Sequence, residues 1–330
     1  MVDNMKKYYI GVDIGGTTSR VSLGSSENGL LVIEDQKEIY TTKQYTPHAL
    51  IDKFITDIQE LSQNIKVEAI GISCGGPLDS KRGIILSPPN LIGWDHIKIV
   101  DILEKHTGIP TRLTNDANAS ALAEWIYGAG VGASNMIFLT FGTGMGAGLI
   151  LNGKLYEGTT GMAGEVGHIR LEHYGPVGYG KMGSFEGFCS GGGIAQLGQS
   201  RILEAKQQGL KSSLMNVESP TAKDIAIHAE NQDPLAQEVY QEVSEKLGSG
   251  LSILIDILNP DCIVIGSIYQ RNEAMMKEAV MNQIKKEALQ EAYEAVTIKG
   301  AKLGDELGNF AALSVAVYYE ENEQHASTIL

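Results

Sequence analysis

Two stretches of this chain share one plan, and together they limit the folds open to it more than any other feature. Tyr8-Tyr9-Ile10-Gly11-Val12-Asp13-Ile14 is strand-like, Gly15-Gly16-Thr17-Thr18 breaks it, and Ser19-Arg20-Val21-Ser22-Leu23-Gly24 alternates as a second strand. Further on, Asn135–Thr140 reads as a strand, Phe141-Gly142-Thr143-Gly144-Met145-Gly146 as a turn, and Ala147–Leu151 as a returning strand closed by the hairpin signal Asn152-Gly153. Glycines let the backbone approach a phosphate closely, and threonines add hydroxyl donors. The first unit taken alone is equally an ordinary hairpin with a glycine turn. Two such units in two halves point instead to an α/β chain whose two lobes grip one polyphosphate. The dinucleotide fingerprint needs a glycine turn that opens a helix, and neither turn does so. No Walker-type Gly-Lys-Ser/Thr is present, which excludes a P-loop.

Between the two units lies Thr114-Asn115-Asp116-Ala117-Asn118-Ala119, after the run Gly108–Leu113 and before the helix-forming Ser120–Tyr127. An acidic residue thus falls where a strand ends and a helix begins, the edge of an α/β sheet where ligands bind. Asp116 there suits proton abstraction from a sugar hydroxyl, and it equally suits a helix N-cap. Asp13 ends its strand, where a carboxylate can hold Mg²⁺ directly or through water, and Arg20 adds a charge nearby in sequence. Val67–Ser73 reads as a buried strand running into the Cys74–Asp79 turn. The irregular loop Ser87–Trp94, with its single amide Asn90, reads as a pocket wall or as a packed surface loop. Gly161–His168 places a carboxylate and an imidazole in one loop without the His-Glu-x-x-His spacing of a zinc protease. Glu165 and His168 therefore read as ligands for a polyhydroxylated molecule, with a structural histidine as the alternative.

The remaining pattern supplies scaffold. Helical periodicity covers 50–61, 99–106, 191–209, 221–230, 234–258, 272–289 and 309–319, and strands are expected over 261–267 and 295–299. Gly248 and Gly250 permit close approach of another element, and the turn at Gly266 is expected to lie against adenosine. Residues 174–190 read as a glycine-rich loop, and 320–330 as a loose polar tail. At 330 residues the chain is expected to form two domains, 1–127 and 128–330, split at Gly128–Gly132, with a last helix near 309–321 packing back on the N-terminal lobe. Net charge is 26 − 40 = −14, which argues against a nucleic-acid or anionic-membrane surface, though not against an anion in a local nest of N–H groups. Three separated cysteines (Cys74, Cys189, Cys262), no membrane-length apolar run and no signal-peptide core after Met1–Lys7 give the expectation of a cytoplasmic protein without disulfides.

Five motifs in order then resemble the ROK family (repressors, open reading frames and kinases) of the actin-like ATPase superfamily. They are Asp13–Thr17, Pro89–Trp94, Asn115–Ala119, Phe141–Gly146 and Gly164–His168. The resemblance implies a two-lobed actin-like (ribonuclease H-like) fold with a cleft and an ATP-dependent sugar kinase. It makes Asp116 the catalytic base, and Gly76, Asn90, Asn115, Glu165, His168 and Glu186 the sugar ligands. Gly15, Gly16, Thr17, Thr18, Gly142, Thr143, Gly144 and Gly266 would hold ATP, and Asp13 would help place Mg²⁺. Glucose at its 6-hydroxyl is the expected substrate. The alternatives are an N-acetylhexosamine, mannose, fructose or a glycoside, or a sugar sensor without catalysis. A homodimer is also implied, with no nucleic acid or membrane as partner. Repressor members carry a winged helix-turn-helix ahead of the kinase-like part, and with a first strand starting by Tyr8 none is expected here.

The chain departs from the family in two places. The zinc motif Cys-x-Cys-Gly-x-x-Gly-Cys-x-Glu corresponds here to Val177–Glu186, with Val177, Tyr179 and Ser184 in place of the three cysteines. Valine cannot bind zinc, and serine and tyrosine are poor replacements for thiolates, so no structural zinc is expected. Gly75 stands where the family often has proline.

Overall fold

The structure, a computed structural model, describes residues 6–328. The chain is mixed α/β and forms two compact units. The first comprises Met1–Gly132, Leu155–Ala163 and Lys302–Leu330, and the second Ala133–Lys154 and Gly164–Ala301.

In the first unit β1 (Lys7–Ile14) runs antiparallel to β2 (Thr18–Glu27), which also pairs with β3 (Leu30–Gln36) and the short β4 (Tyr40–Thr41). Helix α1 (Pro47–Leu61) starts as its sequence dictates, with Pro47 in the first turn and Thr46 as cap. It leads to β5 (Val67–Cys74), parallel to β1. A small hairpin, β6 (Leu78–Asp79) and β7 (Ile84–Ile85), and helix α2 (Ile99–Thr107) follow. Gly108 in the left-handed region ends α2. Strand β8 (Thr111–Asn115) then pairs parallel with β5 and runs straight into α3 (Asp116–Ile126). The sheet order is β3-β2-β1-β5-β8.

Alternation along β1 sorts its side chains between two cores. Ile10, Val12 and Ile14 face Leu50, Phe54 and Ile58 of α1, while Tyr9 packs with Leu313 and Ala316. The second partner helix lies so close to the sheet that a Cβ at Gly71 would fall 2.1 Å from the Ala312 carbonyl oxygen. Glycine is the only residue that tolerates this approach.

In the second unit β9 (Met136–Phe141) pairs antiparallel with β10 (Met145–Leu151), which continues to β11 (Lys154–Leu155) through Asn152 and Gly153, both at positive φ. The segment read as an open loop is instead a small hairpin, β12 (Val177–Gly178) and β13 (Lys181–Met182), running into the one-turn helix α4 (Phe185–Phe188). The glycine count obscured it, because two-residue strands carry no periodic signal.

Helices α5 (Gly191–Gln208), α6 (Ala222–Glu230) and α7 (Pro234–Leu258) begin on Ser190, Thr221 and Asp233 as side-chain caps, and Thr221 with Asp224 forms a capping box. Strand β14 (Cys262–Ile265), α8 (Ile268–Glu287), α9 (Gln290–Ala295) and β15 (Thr297–Gly300) complete the unit. Strand β14 is parallel to both β9 and β15, in the order β11-β10-β9-β14-β15. A Cβ at Gly248 would meet Val280 O of α8 at 2.8 Å, and one at Gly250 would meet the Phe185 ring at 2.3 Å. The close approaches expected there are present.

Helix α10 (Leu307–Thr328) returns to the first unit and covers the face of its sheet opposite α1. The tail expected to be loose from Glu320 is helical through Thr328, and Ile329 and Leu330 lie outside the described residues, as do Met1–Met5. Tyr9 Oη donates to Glu320 at 3.2 Å, which helps hold that last stretch. Helix α8 starts at Ile268, four residues before the expected Asn272, and α9 carried no separate signal. No helix among the described residues is long and apolar enough to cross a membrane.

Glu124, fully buried near the end of α3, ties the ends of the first unit's chain segments together. Its Oε2 accepts from Ala129 N at 2.7 Å, and its Oε1 accepts from Lys302 N and Leu303 N at 2.9 and 2.8 Å. A buried carboxylate is tolerated because three backbone donors surround it.

Candidate active site

In the first unit the parallel strands fix the site. Register places Asp13 beside Ser73, Ile14 beside Cys74, and Cys74 beside Asn115. The carboxyl ends of β1, β5 and β8 therefore bring Asp13, the Gly15–Thr18 turn, Gly76 and Asp116 to one sheet edge, the usual ligand edge of such sheets.

Asp116 is the first residue of α3, and its Oδ1 accepts from Ala117 N at 2.9 Å. The N-cap is Asn115, whose side-chain oxygen accepts from Asn118 N at 2.7 Å, and not Asp116. The capping requirement is met one residue earlier, which leaves Asp116 without that duty. The Asp116 carboxyl is closely surrounded by protein, and this burial pushes its pKa above the ordinary carboxylate value against the pull of backbone N–H bonds. The residue nevertheless keeps substantial solvent-accessible surface. The two observations agree for a group set in a concave wall with an open mouth.

Asp13 is raised to about 6, first by burial and further by the charge of Asp116, with Arg20 pulling the other way. Arg20 Nε lies 3.4 Å from Asp13 Oδ2. That is an ion-pair contact without hydrogen-bond geometry, since Nε is buried and makes no hydrogen bond. Gly308 of α10 packs on this pair, where a Cβ would lie 3.0 Å from Asp13 Oδ2.

The first glycine turn is closed by Gly15 N donating to Thr18 O at 3.0 Å. Thr42, distant in sequence, pins it. Its hydroxyl donates to Gly15 O at 2.7 Å, its N–H donates to Thr17 O at 2.9 Å, and Ser19 Oγ is 2.8 Å from its Oγ1. A Cβ at Gly16 would fall 2.8 Å from Asn90 Cβ, so the Asn90 loop backs directly onto the turn. That loop hangs from buried Leu91 and Trp94, with Asn90 itself exposed. Thr42 was invisible to sequence reasoning because nothing in its spacing links it to Gly15.

In the second unit Gly142 and Gly266 follow the carboxyl ends of the parallel β9 and β14. Gly142 O accepts from Gly191 N at 2.8 Å, which sets the second turn against the start of α5. The run Gly191–Gly193 reads in the sequence only as a helix opening, yet it supports this turn. Glu186 is bound to the same turn, since its Oε2 accepts from Met145 N at 3.0 Å. Gly167 fits between Met145 and Glu186, where a Cβ would lie 2.4 Å from Met145 O. Glu165 precedes the short 3-10 turn Val166–His168 and His168 ends it, and both are exposed.

Among the described residues, no group of three or more His, Cys, Asp or Glu side chains is placed to hold a metal ion. The segment at the zinc-motif positions is held by side-chain hydrogen bonds. The Gln196 side chain bonds both the N–H and the carbonyl of Val177 at 3.0 Å, Arg170 Nη1 donates to Met182 O at 2.6 Å, and Ser184 Oγ donates to Lys181 O at 3.0 Å.

The first turn suits a polyphosphate with its Mg²⁺. The missing side chains at Gly15 and Gly16 let the turn close tightly on Thr18 O and on the Asn90 loop, Arg20 offers an unsatisfied buried donor beside it, and Asp13 is an oxygen ligand at its edge. The fold and the relatives of this chain make it a sugar kinase of the actin-like ATPase superfamily. The family model for the ROK family matches residues 9–317, and the chain belongs to that family. It is 34% identical to a glucokinase of Halalkalibacterium halodurans, over 92% of each chain. It is 32% identical to an N-acetylmannosamine kinase of Escherichia coli, over 78% of this chain and 81% of that one. A ROK family glucokinase from Streptomyces griseus, solved in complex with glucose and AMPPNP, superposes with a TM-score of 0.71 at 29% identity, over 94% of this chain and 99% of that one.

Proposed function

We propose that this chain transfers the γ-phosphate of ATP to the 6-hydroxyl of a hexose, glucose before others, with Asp116 as general base. The observation that carries the reading is the state of Asp116. Its carboxyl is surrounded by protein yet open at its mouth, it is relieved of capping by Asn115, and it is oriented by Ala117 N. Burial makes it a stronger base than an ordinary carboxylate. It accepts the hydroxyl proton as the oxygen attacks phosphorus, a contribution of about 10²–10⁴-fold. Phosphoryl transfer otherwise depends on positioning and on neutralising charge. Mg²⁺ entering with the nucleotide would neutralise phosphate charge, with Asp13 as its protein ligand.

Gly15–Thr18 and Gly142–Gly144 hold phosphates by the backbone N–H groups other than those of Gly15 and Gly142, which close the turns, with Thr42 and Glu186 keeping the two turns in shape. Gly266 lies toward adenosine. Asn90, Asn115, Gly76, Glu165, His168 and Glu186 recognise sugar hydroxyls. Glu186 does so with the carboxylate edge left by its bond to Met145 N, which links sugar recognition to the second phosphate turn. A second reading, an N-acetylhexosamine as substrate, is favoured by the similarity to the N-acetylmannosamine kinase. The protein acts without nucleic-acid or membrane partners, as a cytoplasmic homodimer without structural zinc. An ADP-release assay over a panel of glucose, mannose, fructose, N-acetylglucosamine and N-acetylmannosamine tests the reading. Glucose should give the highest kcat/KM. An N-acetylhexosamine in first place would replace glucose as substrate, and no turnover with any sugar would leave a sensor.

A further inference from the structure

The tip of the β12–β13 hairpin carries a contradiction. Tyr179 and Gly180 are the two turn residues, both at positive φ, 45° for Tyr179 and 74° for Gly180. Such two-residue turns favour Asn, Asp or Gly at the first position, because a left-handed backbone is costly for a residue with a bulky side chain. Burial does not offset that cost here, for Tyr179 is 72% exposed. What the ring does contact is His168. The two centroids are 5.4 Å apart, with the planes at 82°, an edge-to-face pair. Lys181 Nζ, on the far side of the same turn, donates to the His168 carbonyl. The hairpin thus holds the histidine by its ring and by its backbone.

The hairpin is itself fixed at its base. Gln196 of α5 clamps Val177 at both backbone groups, and Gly183 N donates to Pro176 O at 3.0 Å. Gly178 packs so tightly that a Cβ would lie 2.5 Å from Gly187 N. A rigid base, a strained tip and an exposed ring on an exposed imidazole describe a residue whose structural role is the contact it makes with His168. Strain of this kind persists where surrounding structure enforces it and marks functional sites.

We infer that Tyr179 is a positioning residue for His168. It limits the imidazole to the orientation in which that side chain meets the sugar. This rests on the reading of His168 as a sugar ligand. Tyr179 touches neither nucleotide nor the reacting oxygen in this account, so its effect falls on sugar affinity alone. Aromatic pairs of this geometry account for about a three- to tenfold change in an equilibrium constant.

The test uses the full-length chain and four variants, Tyr179→Gly, Tyr179→Phe, His168→Ala and the double variant with His168→Ala and Tyr179→Gly. Tyr179→Gly relieves the left-handed strain, so its melting temperature should equal or exceed that of the parent, while its KM for sugar rises about three- to tenfold. Its KM for ATP should stay unchanged, and Tyr179→Phe should behave as the parent. In the His168→Ala background Tyr179→Gly should have no further effect on sugar KM. The His168 ring proton resonances should lose a ring-current shift in Tyr179→Gly and keep it in Tyr179→Phe, whatever the substrate. An active parent with unchanged sugar KM in Tyr179→Gly overturns the inference while leaving the functional reading intact. So does a weakening that persists in the absence of His168. A parent that releases no ADP with any sugar of the panel overturns the functional reading and this inference with it.

Discussion

Asp13→Asn should make the protein more stable while impairing catalysis, and the gain should depend on pH in a defined way. The folded-state pKa of Asp13 is about 6 against an ordinary 3.8, a rise of about two units set first by burial. Each unit is about 1.4 kcal/mol, so the folded protein disfavours the charged form by roughly 3 kcal/mol. The sign follows from linkage. A group with a raised folded pKa contributes stability that is fully present below 3.8 and is lost as pH rises through about 6. Asparagine resembles the protonated acid and loses nothing over that range. At pH 7.5 the variant should therefore exceed the parent by up to roughly 3 kcal/mol, and the difference should close toward pH 4. For a chain of 330 residues that corresponds to a melting-temperature rise of about 4 °C. Thermal melts without nucleotide at pH 4, 5, 6 and 7.5 measure it. In the same variant the stabilisation by Mg²⁺ and ATP should fall, because the oxygen ligand is gone. A variant less stable than the parent at pH 7.5, or a difference independent of pH, would show that burial of the Asp13 charge does not cost the fold stability. Either result would mean that Arg20 stabilises the charged form of Asp13 enough to outweigh its burial.

Other outcomes follow from the same contacts. Glu124→Ala removes the carboxylate that accepts from Ala129 N, Lys302 N and Leu303 N and should cost about 1–3 kcal/mol in urea unfolding. Thr42→Val removes the hydroxyl bonds to Gly15 and Ser19. It should raise the KM for ATP several-fold with the sugar KM unchanged in steady-state assays, at a stability cost of about 1–2 kcal/mol. Asp233 is buried, which acts to raise its pKa, but bonds from Ser213, Ala236 N and Ser212 prevail and hold it at about 2. Its contribution is present above 3.8 and lost as pH falls through about 2. Asp233→Asn should therefore cost about 2 kcal/mol at pH 7, measured by urea unfolding, and nothing near pH 2.

Much of the fold is legible in the sequence where period and punctuation coincide. The Leu50, Phe54, Ile58 and Leu61 spacing gives α1, Gly108 ends α2, and Thr221 with Asp224 starts α6. The strand ending at Asn115 and the helix starting at Asp116 are readable because β propensity gives way to alanine-rich sequence at one point. Which of the two residues caps the helix is not readable, since Asn and Asp are equivalent by type and only the backbone angles at Asn115 decide. Contacts distant in sequence were hidden for a different reason. Thr42 on the first turn, Gly191 on the second and Glu186 on Met145 N are tertiary hydrogen bonds, and no local pattern encodes their partners. The hairpin at Val177–Met182 escaped because a tyrosine occupies a turn position that sequence rules assign to asparagine or glycine.

If Asp116 takes the hydroxyl proton, removing its charge must abolish turnover without unfolding the protein or releasing the sugar. Asp116→Asn should fold, with a melting temperature at or above that of the parent, because burial already favours the uncharged form. It should still bind glucose by calorimetry, while kcat in the ADP-release assay falls by about 10²–10⁴-fold. A folded Asp116→Asn protein that phosphorylates glucose at the parental rate would contradict the account.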